Sequence, residues 1–285
     1  MKISVVIPAY NAEKFIERAL NSVLKQSFEP FEIIVVDDGS QDSTAEKIKK
    51  FSNVIIISQI NKGEGSARNA GIKAAKGDYV AFLDSDDEWL GDHLLNAYKA
   101  FSLYPNCHVY SDGHQIMKEG TSHKLAVCLS KSDPDSIVAC DYFKALPPKA
   151  YFSSSTNVIS LESLRNIGLY NIQMKVGADR DVLFRIALKY KEFLFVNQLG
   201  AIVWARPDSL SRGQSKNINK SIESYQKWIS LAKEQGDYER AKPRLALWVG
   251  NNLKKSIARM NIGATLLIIR KFWFLLPQII RKKFI

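Results

Sequence analysis

The first hundred residues alternate short valine and isoleucine runs with segments of helical periodicity. The apolar runs predict strands at Ile3–Ile7, Ile33–Val36, Val54–Ile57 and Tyr79–Leu83. The intervening segments predict helices at about Ala12–Lys25, from the capping-box pattern Ser43-Thr-Ala-Glu46 onward, and near Ser66–Ala75. Continuous aliphatic runs are typical of strands buried on both faces, and strand–helix alternation favours a parallel sheet. The predicted fold class is therefore α/β, a Rossmann-like, mostly parallel sheet flanked by helices.

The second half of the chain has weaker signals. Strands are predicted at Val109–Tyr110, Phe193–Val196 and Ala201–Trp204, with a hairpin around Gly120 and a turn at Leu146-Pro-Pro-Lys149. A helix is predicted at Asp179–Tyr190, and a helical pattern continues from about Asn217 to the end of the chain.

The whole formal charge of +11 comes from the C-terminal tail. From Arg240 to the end there are 11 Lys and Arg residues and no Asp or Glu, whereas residues 1–239 carry 29 of each sign. Within this tail Ile262–Leu276 is apolar apart from Arg270 and Lys271, and it is shorter than the roughly 20 residues of a spanning helix.

Basic, amphipathic helices that contain tryptophan suit an anionic membrane surface. The alternative is packing of the tail against the rest of the chain or against a second copy in a homodimer. Nucleic acid is excluded as a partner, because the basic residues are mixed with large aliphatic runs instead of forming a polar stripe.

The composition is that of a globular protein, with 46% hydrophobic and 24% charged residues, which argues against disorder. Cys107, Cys128 and Cys140 lack metal-binding spacing and are expected to be reduced thiols of a cytoplasmic protein. Ile3–Ile7 is too short for a signal peptide and is ended by Pro8.

Polar residues follow three of the predicted strands. They are Tyr10-Asn11, Asp37-Asp38 and Asp84-Ser85-Asp86-Asp87. The carboxyl ends of parallel strands are where ligands bind in open α/β sheets. Each pair taken alone is also typical of turns and helix caps, but all three at one sheet edge favour a binding site.

Asp84-Ser85-Asp86 is the sharpest of these features. Residues i and i+2 of an extended segment point the same way, so both carboxylates can reach one cation. Such oxygen ligands suit Mg²⁺ or Mn²⁺, with phosphate oxygens and water completing the coordination. The alternative is an acidic surface loop.

Asn61–Gly71 is a glycine-rich segment that leads into a helix. It is not a dinucleotide fingerprint, because Arg68 stands where the third glycine belongs. A turn that opens a helix carrying an arginine can still face an anion. An ordinary loop with a surface arginine is the alternative.

Four segments together resemble the family 2 glycosyltransferases of the GT-A fold. They are Ser4–Asn11, Val35–Thr44, Asn61–Gly71 and Gly77–Asp87. The resemblance covers about the first 90 residues with its motifs in register. It implies nucleotide-sugar contacts at Pro8, Tyr10, Asp38, Arg68, Asp84 and Ser85. Tyr10 would stack on the base, Asp38 would accept from the base N–H, and Asp86 would bind the metal ion.

The resemblance also implies a catalytic base within Gly177-Ala-Asp-Arg-Asp181. Asp179 matches the family's aspartate, while Ala178 replaces its usual glutamate. Asp181 is the rival candidate, and the two side chains point about 200° apart on a helix, so that only one can face a site. Helix N-terminal placement alone also favours both aspartates. Arg206, in Trp204-Ala-Arg206, is implied as a diphosphate contact.

The resemblance therefore implies an inverting, metal-dependent transferase that moves a sugar from a nucleotide sugar to a saccharide or lipid-linked saccharide in bacterial surface polysaccharide synthesis. Residues 1–100 would bind the donor, 101–215 the acceptor, and 216–285 the inner face of the cell membrane. A sugar nucleotidyltransferase would need a glycine-rich loop with Arg and Lys after the first strand, which Tyr10–Glu13 does not offer. A membrane-tethered, catalytically silent nucleotide-sugar-binding protein is the remaining alternative.

Overall fold

The computed structural model describes residues 1–118, 125–127, 136–143, 153–174, 177–205 and 218–281, with the backbone alone at 125–127 and 281. The predictions for Gly120, Cys128, Leu146–Lys149 and Arg206 lie outside these residues.

In the described residues, ten strands form one sheet. They are β1 Ile3–Ala9, β2 Glu32–Asp37, β3 Val54–Ser58, β4 Tyr79–Phe82, β5 Glu88–Trp89, β6 Val109–Lys118, β7 Leu125–Val127, β8 Ile137–Asp141, β9 Asn157–Ser160 and β10 Glu192–Ala205. The order is β3-β2-β1-β4-β9-β6-β10-β5, with β7 beside β6 and β8 beside β10. Strands β1 to β4 are parallel, and β9 enters antiparallel between β4 and β6. The α/β class is confirmed, with a parallel first half and a mixed second half.

The helices cover both faces of this sheet. They are α1 Ile16–Leu24, α2 Thr44–Ile48, α3 Glu64–Ala74, α4 His93–Leu103, α5 Leu161–Asn166, α6 Ala178–Lys189, α7 Ile218–Glu234, α8 Tyr238–Ala258, α9 Ile262–Phe272 and α10 Leu276–Arg281. Helices α1, α2 and α4 pack on one face, and α3, α5, α6 and the C-terminal helices pack on the other.

All seven residues of β1 are buried, because both faces of this central strand are covered. Val5 and Ile7 belong to one core and Val6 to the other, as the alternation of side chains along a strand requires. Helix α3 lies directly on β1, since a Cβ added to Gly71 would come within 2.4 Å of Val6 Cγ1. This close packing positions Arg68, one turn earlier on α3, beside the carboxyl ends of β1 and β4.

Helix α2 begins where the sequence indicated, but its capping-box prediction is wrong. The Ser43 side chain makes no capping hydrogen bond. The Ser43 N–H donates instead to Glu13 Oε2 over 3.2 Å, so it is not available to Glu46. Asp42 Oδ1 takes the capping role by accepting from the Thr44 N–H at 3.0 Å.

The two strands predicted at Phe193–Val196 and Ala201–Trp204 are one strand, β10. Its pairing with β6 shifts register at Val196/Leu199 and again at Leu199/Ala201. Gly200 sits at this irregularity, where an added Cβ would lie 1.8 Å from Asp112 Oδ2. The residues between the two predicted strands are therefore part of a bulge within one continuous strand.

The tail is helical, as predicted, but Pro277 does not end it. Pro277 lies in the first turn of α10, where a missing N–H is tolerated. The stretch Ile262–Ile280 is thus 19 residues long, and by length and composition it is sufficient to cross a membrane.

His114 on β6 links stability to pH. Burial lowers the pKa of His114 from 6.5 to about 4. The unfolded chain therefore binds a proton where the folded chain does not, so the stability contribution is present above pH 6.5 and is lost as the pH falls toward 4. The loss is worth up to about 3 kcal/mol of unfolding free energy. We expect His114→Gln to flatten the pH dependence of urea unfolding between pH 6.5 and 4. An unchanged slope would assign the acid sensitivity to other groups.

Candidate active site

The Arg68 guanidinium joins three parts of the chain at the carboxyl edge of the parallel strands. Arg68 is only 1% exposed. Its Nη1 donates to Asp179 Oδ1 on α6 over 3.0 Å. Its Nη2 donates to Asp84 Oδ1, after β4, over 2.7 Å and to Glu64 Oε1, one turn back on α3, over 2.5 Å. A single buried cation is thus surrounded by three carboxylates.

These carboxylates leave a surplus of negative charge. Burial raises the pKa of Asp84 well above its usual value, with Glu64 and neighbouring aspartates adding to the effect against Arg68. The charge of Arg68 is the largest single influence on the pKa of Glu64, and it lowers that pKa. Burial and the charges of Asp179 and Asp86 together exceed this effect, so the pKa of Glu64 is raised. The pKa of Arg68 itself is raised well above normal by its carboxylate partners, although burial opposes them. An additional cation would relieve this imbalance.

Within the described residues, no three His, Cys, Asp or Glu side chains are arranged to hold a metal ion by themselves. A hard divalent ion that keeps water and phosphate ligands needs only one or two protein carboxylates. Asp84 and Asp86 fit that requirement, since both are partly exposed oxygen ligands in a region of surplus negative charge.

The turn that carries Asp84, the half-buried Ser85 and Asp86 is held from both sides. The Asp86 carbonyl accepts from Arg18 Nη2 at 2.5 Å, and the Arg18 guanidinium lies 4.3 Å from the Trp204 ring centre.

The carboxylate of Asp87 closes the same turn. Asp87 Oδ2 accepts from Ser155 Oγ at 2.6 Å and Oδ1 from the Trp204 N–H at 3.0 Å. Burial, reinforced by the charge of Asp86, raises the pKa of Asp87 to about 7. Asp87 therefore anchors the turn in the protein interior, while Asp84 and Asp86 stay accessible.

Asp38 holds the glycine-rich loop. Its Oδ1 accepts from Gln59 Nε2 at 2.6 Å and from the Lys62 N–H at 2.9 Å, and its Oδ2 accepts from the Gly63 N–H at 2.8 Å. The turn before α3 thus faces an anion, as its sequence indicated. This anion is the carboxylate of Asp38. A carboxylate has about four lone-pair sites, so capacity remains for one further donor.

Tyr10 stands at the end of β1, next to this loop. Its side chain is 48% exposed, whereas Pro8 is buried within the strand. The following residue, Asn11, has a left-handed φ of 47°, and its Oδ1 accepts from the Gln41 N–H at 2.8 Å. The exposed aromatic ring therefore stands at the carboxyl end of β1, where the next residue is bonded to the loop that follows β2.

The two aspartates of α6 point in different directions, as their spacing predicted. Asp181 is buried, with Oδ1 accepting from Trp228 Nε1 at 2.9 Å and Oδ2 from Arg185 Nε at 2.7 Å. The Asp179 side chain is 36% exposed and meets Arg68. The structure thus gives Asp181 a packing role and places Asp179 in the cluster with Asp84.

Arg68 and Ala178 both pack into the protein. Arg68, predicted to contact the donor nucleotide, is buried and bonded to protein carboxylates. Ala178, which replaces the family's glutamate, is partly buried against the core.

Sequence reasoning missed three residues that shape this site. Glu64 carries a local signal, since Glu64 and Arg68 have the i, i+4 spacing of a helical ion pair. Arg18 and Ser155 carry none, because each reaches the acidic turn from 68 residues away in the sequence.

Comparison with known proteins identifies a domain in the N-terminal part of the chain. Residues 4–126 match the family model described as Glycosyl transferase family 2. The chain therefore contains a glycosyltransferase family 2 domain over these residues. The resemblance drawn from the four motifs is therefore confirmed.

The curated relatives match the N-terminal part of the chain. UDP-Glc:alpha-D-GlcNAc-diphosphoundecaprenol beta-1,3-glucosyltransferase WfgD of Escherichia coli is 41% identical over 32% of this chain and 38% of its own length. Succinoglycan biosynthesis protein ExoW of Rhizobium meliloti is 42% identical over 36% of this chain and 35% of its own. The poly(ribitol-phosphate) beta-glucosyltransferase of Bacillus spizizenii is 44% identical over 36% of this chain and 17% of its own. The matched segment spans less than half of each relative.

A likeness in fold to a solved structure extends over nearly all of the chain. The crystal structure of S. aureus TarS 1-349 in complex with UDP-GlcNAc has a TM-score of 0.75 at 19% identity and covers 98% of this chain and 82% of TarS 1-349. At this identity the likeness establishes the fold alone, and it confirms the predicted GT-A class.

Removing the central cation should destabilise the protein. We expect Arg68→Met to lower the unfolding free energy by about 3–5 kcal/mol, because it leaves three carboxylates facing one another without compensation. Glu64→Gln is the matched control, since it keeps the cation and removes one carboxylate, and it should change stability by less than about 1 kcal/mol. Urea unfolding of both variants measures this. Equal stability of Arg68→Met and the parent would contradict the central role of the guanidinium.

Proposed function

We propose that this protein is an inverting, metal-dependent glycosyltransferase that moves a sugar from a UDP-sugar to a saccharide or lipid-linked saccharide. The observation that carries the proposal is the meeting of Asp84 and Asp179 at one guanidinium. These residues come from distant parts of the sequence and are both partly exposed at the carboxyl edge of the parallel strands. Asp84, proposed to lie beside the metal ion and the diphosphate, is thus next to Asp179, proposed to accept the proton.

The donor nucleotide would bind beside β1 and β2. The exposed ring of Tyr10 offers a stacking surface, and Pro8 supports it from within the strand. Asp38 has capacity for one more donor, which the base N–H would fill. The UDP-GlcNAc bound to TarS, a protein of the same fold, supports a uridine nucleotide.

The diphosphate would lie over the acidic turn. Asp86, with Asp84 and Ser85 beside it, would hold Mn²⁺ or Mg²⁺. A bound divalent ion supplies neutralisation of the charge that develops on a leaving diphosphate. Arg206, in the segment after β10, is proposed as a further diphosphate contact.

Asp179 would act as the general base. Oδ1 accepts from Arg68, which orients the carboxylate, and Oδ2 would take the proton of the acceptor hydroxyl. The acceptor oxygen then bonds to the anomeric carbon as the bond from that carbon to the diphosphate oxygen breaks. A single displacement from the opposite face inverts the anomeric centre without a covalent intermediate.

The acceptor and the location follow from the relatives and the tail. WfgD is named for a diphosphoundecaprenol-linked sugar and ExoW for succinoglycan, which supports an acceptor in bacterial surface polysaccharide synthesis. We propose that residues 1–100 bind the donor and 101–215 the acceptor. Residues 216–285 would hold the enzyme at the cytoplasmic face of the membrane, with a homodimer as the alternative use of the tail.

Replacement of the proposed base should abolish turnover and spare donor binding. We expect Asp179→Asn to lower Mn²⁺-dependent UDP release from UDP-sugars by about a hundred- to ten-thousand-fold. Thermal stabilisation by UDP with Mn²⁺ should persist in the variant. Asp92→Asn, at an exposed aspartate on the N-terminal side of α4, is the matched control and should keep parental activity. Undiminished turnover in Asp179→Asn removes the base assignment, and donor binding without turnover in the parent favours the silent binding protein.

The metal assignment has its own test. We expect Asp86→Asn to weaken thermal stabilisation by UDP in Mn²⁺ to about the level seen for the parent in EDTA, because stabilisation by a ligand rises with the logarithm of its affinity for the folded state. Stabilisation by UDP alone should be the same in both proteins. If Asp86→Asn retains the full Mn²⁺-dependent increment, the ion is held elsewhere.

A further inference from the structure

Helix α9 has two apolar faces of opposite exposure. The inner face is buried and consists of Ala264, Ile268 and Phe272. The outer face, here called the α9 stripe, is between 36% and 73% exposed and consists of Ile262, Leu266, Ile269 and Trp273. Both sets follow the i, i+3 and i, i+4 spacings of one helix side, with Trp273 directly after the last residue of α9. The stripe is therefore a continuous apolar strip and not a scatter of single residues.

The inner face attaches α9 firmly to the rest of the protein. The Thr265 and Ser256 hydroxyls of α9 and α8 are 3.0 Å apart in a hydrogen bond. The Phe272 ring packs edge-on against Tyr225 of α7, with centroids 6.0 Å apart. Farther along, α10 lies close to α8, since a Cβ added to Gly250 would be 3.2 Å from Ile279 Cγ2. The fold therefore accounts for the inner face and leaves the α9 stripe on the surface.

Exposed basic side chains are concentrated in the same part of the chain as the stripe. They are Lys254, Lys255, Arg259, Arg270 and Lys271. No Asp or Glu occurs from Arg240 to the end of the sequence. Exposed Met260 adds apolar surface between α8 and α9. An exposed apolar strip in an acid-free segment rich in exposed cations complements an anionic lipid surface in both charge and hydrophobicity.

The same region is not suited to spanning the bilayer. Ile262–Ile280 is long and apolar enough by composition, but Arg270 and Lys271 lie near its middle. Charged side chains at the bilayer centre are costly. Insertion would also expose the inner-face contacts with α7 and α8. A helix lying in the plane of the headgroups keeps both the charges and these contacts.

We propose that the α9 stripe docks this protein on an anionic phospholipid surface, with α9 parallel to the membrane plane and Trp273 inserted at the headgroup boundary. The proposal deepens the membrane location within the proposed function, because it assigns the docking surface and its orientation. It does not depend on the chemistry at Asp179.

Co-sedimentation with lipid vesicles tests the surface. The full chain is expected to bind vesicles of equimolar phosphatidylcholine and phosphatidylglycerol and to bind pure phosphatidylcholine weakly. The variant Leu266→Glu/Trp273→Glu should lose roughly tenfold or more of that affinity, because it replaces two apolar contacts with anionic groups. Leu103→Glu is the matched control, since Leu103 is 67% exposed at the end of α4, and it should bind as the parent does.

Two further experiments test the role of the basic side chains and the insertion of Trp273 into the lipid. Arg270→Gln/Lys271→Gln should weaken binding to the anionic vesicles and leave the weak binding to phosphatidylcholine unchanged. Brominated lipids should quench tryptophan fluorescence in the parent, and most of this quenching should be absent in Trp273→Phe.

Several results would overturn the proposal. The first is that the Leu266→Glu/Trp273→Glu variant binds anionic vesicles with the same affinity as the parent. Retention of the parent in membranes after alkaline carbonate extraction would indicate a spanning segment. Failure to bind anionic vesicles together with a concentration-dependent dimer that the variant abolishes would assign the stripe to a second copy. UDP-sugar hydrolysis in solution by the same variant separates these outcomes from a failure of the proposed catalytic function.

Discussion

A buried guanidinium is the interaction on which the candidate site depends. Burying the Arg68 cation without partners would be prohibitively unfavourable, so the fold must bring anions to it. It does so with carboxylates from α3, the end of β4 and the start of α6. Because only the cation is fully buried, the carboxylates keep part of their surface exposed. One ion cluster thus holds three elements together and still presents acidic groups to a ligand.

The parallel half of the fold was predictable because its signals are local. Strands such as β1 are buried on both faces, and this burial demands the continuous Val and Ile runs seen in the sequence. Strand β10 was predicted as two pieces, since its bulge brings a glycine against the Asp112 carboxylate and interrupts the apolar pattern. Such a position depends on a neighbouring strand that no local window contains.

The same division applies to the site. The motif residues Asp84 and Asp86 follow a strand directly, so the sequence predicted where they would lie. The partners that hold their turn, Arg18 and Ser155, come from distant segments and were missed. The predicted contact of Arg68 with the donor stays a prediction, while its ion pairs with carboxylates of α3, the end of β4 and the start of α6 depend on the fold. A motif therefore predicts that a residue belongs to a site, but it does not contain the protein side chains that the residue contacts.

The tail shows why composition alone left two alternatives open. It has more apolar residues than can pack on one face of a helix. The sequence alone does not show which of them are buried in the core. The structure divides them, with Ile268 and Phe272 facing inward and Leu266 and Trp273 facing outward. Packing of α9 on the protein and docking of α9 on a membrane therefore use opposite sides of one helix. The two interactions are compatible, and the core contacts hold the lipid-facing side in a fixed orientation relative to the rest of the chain.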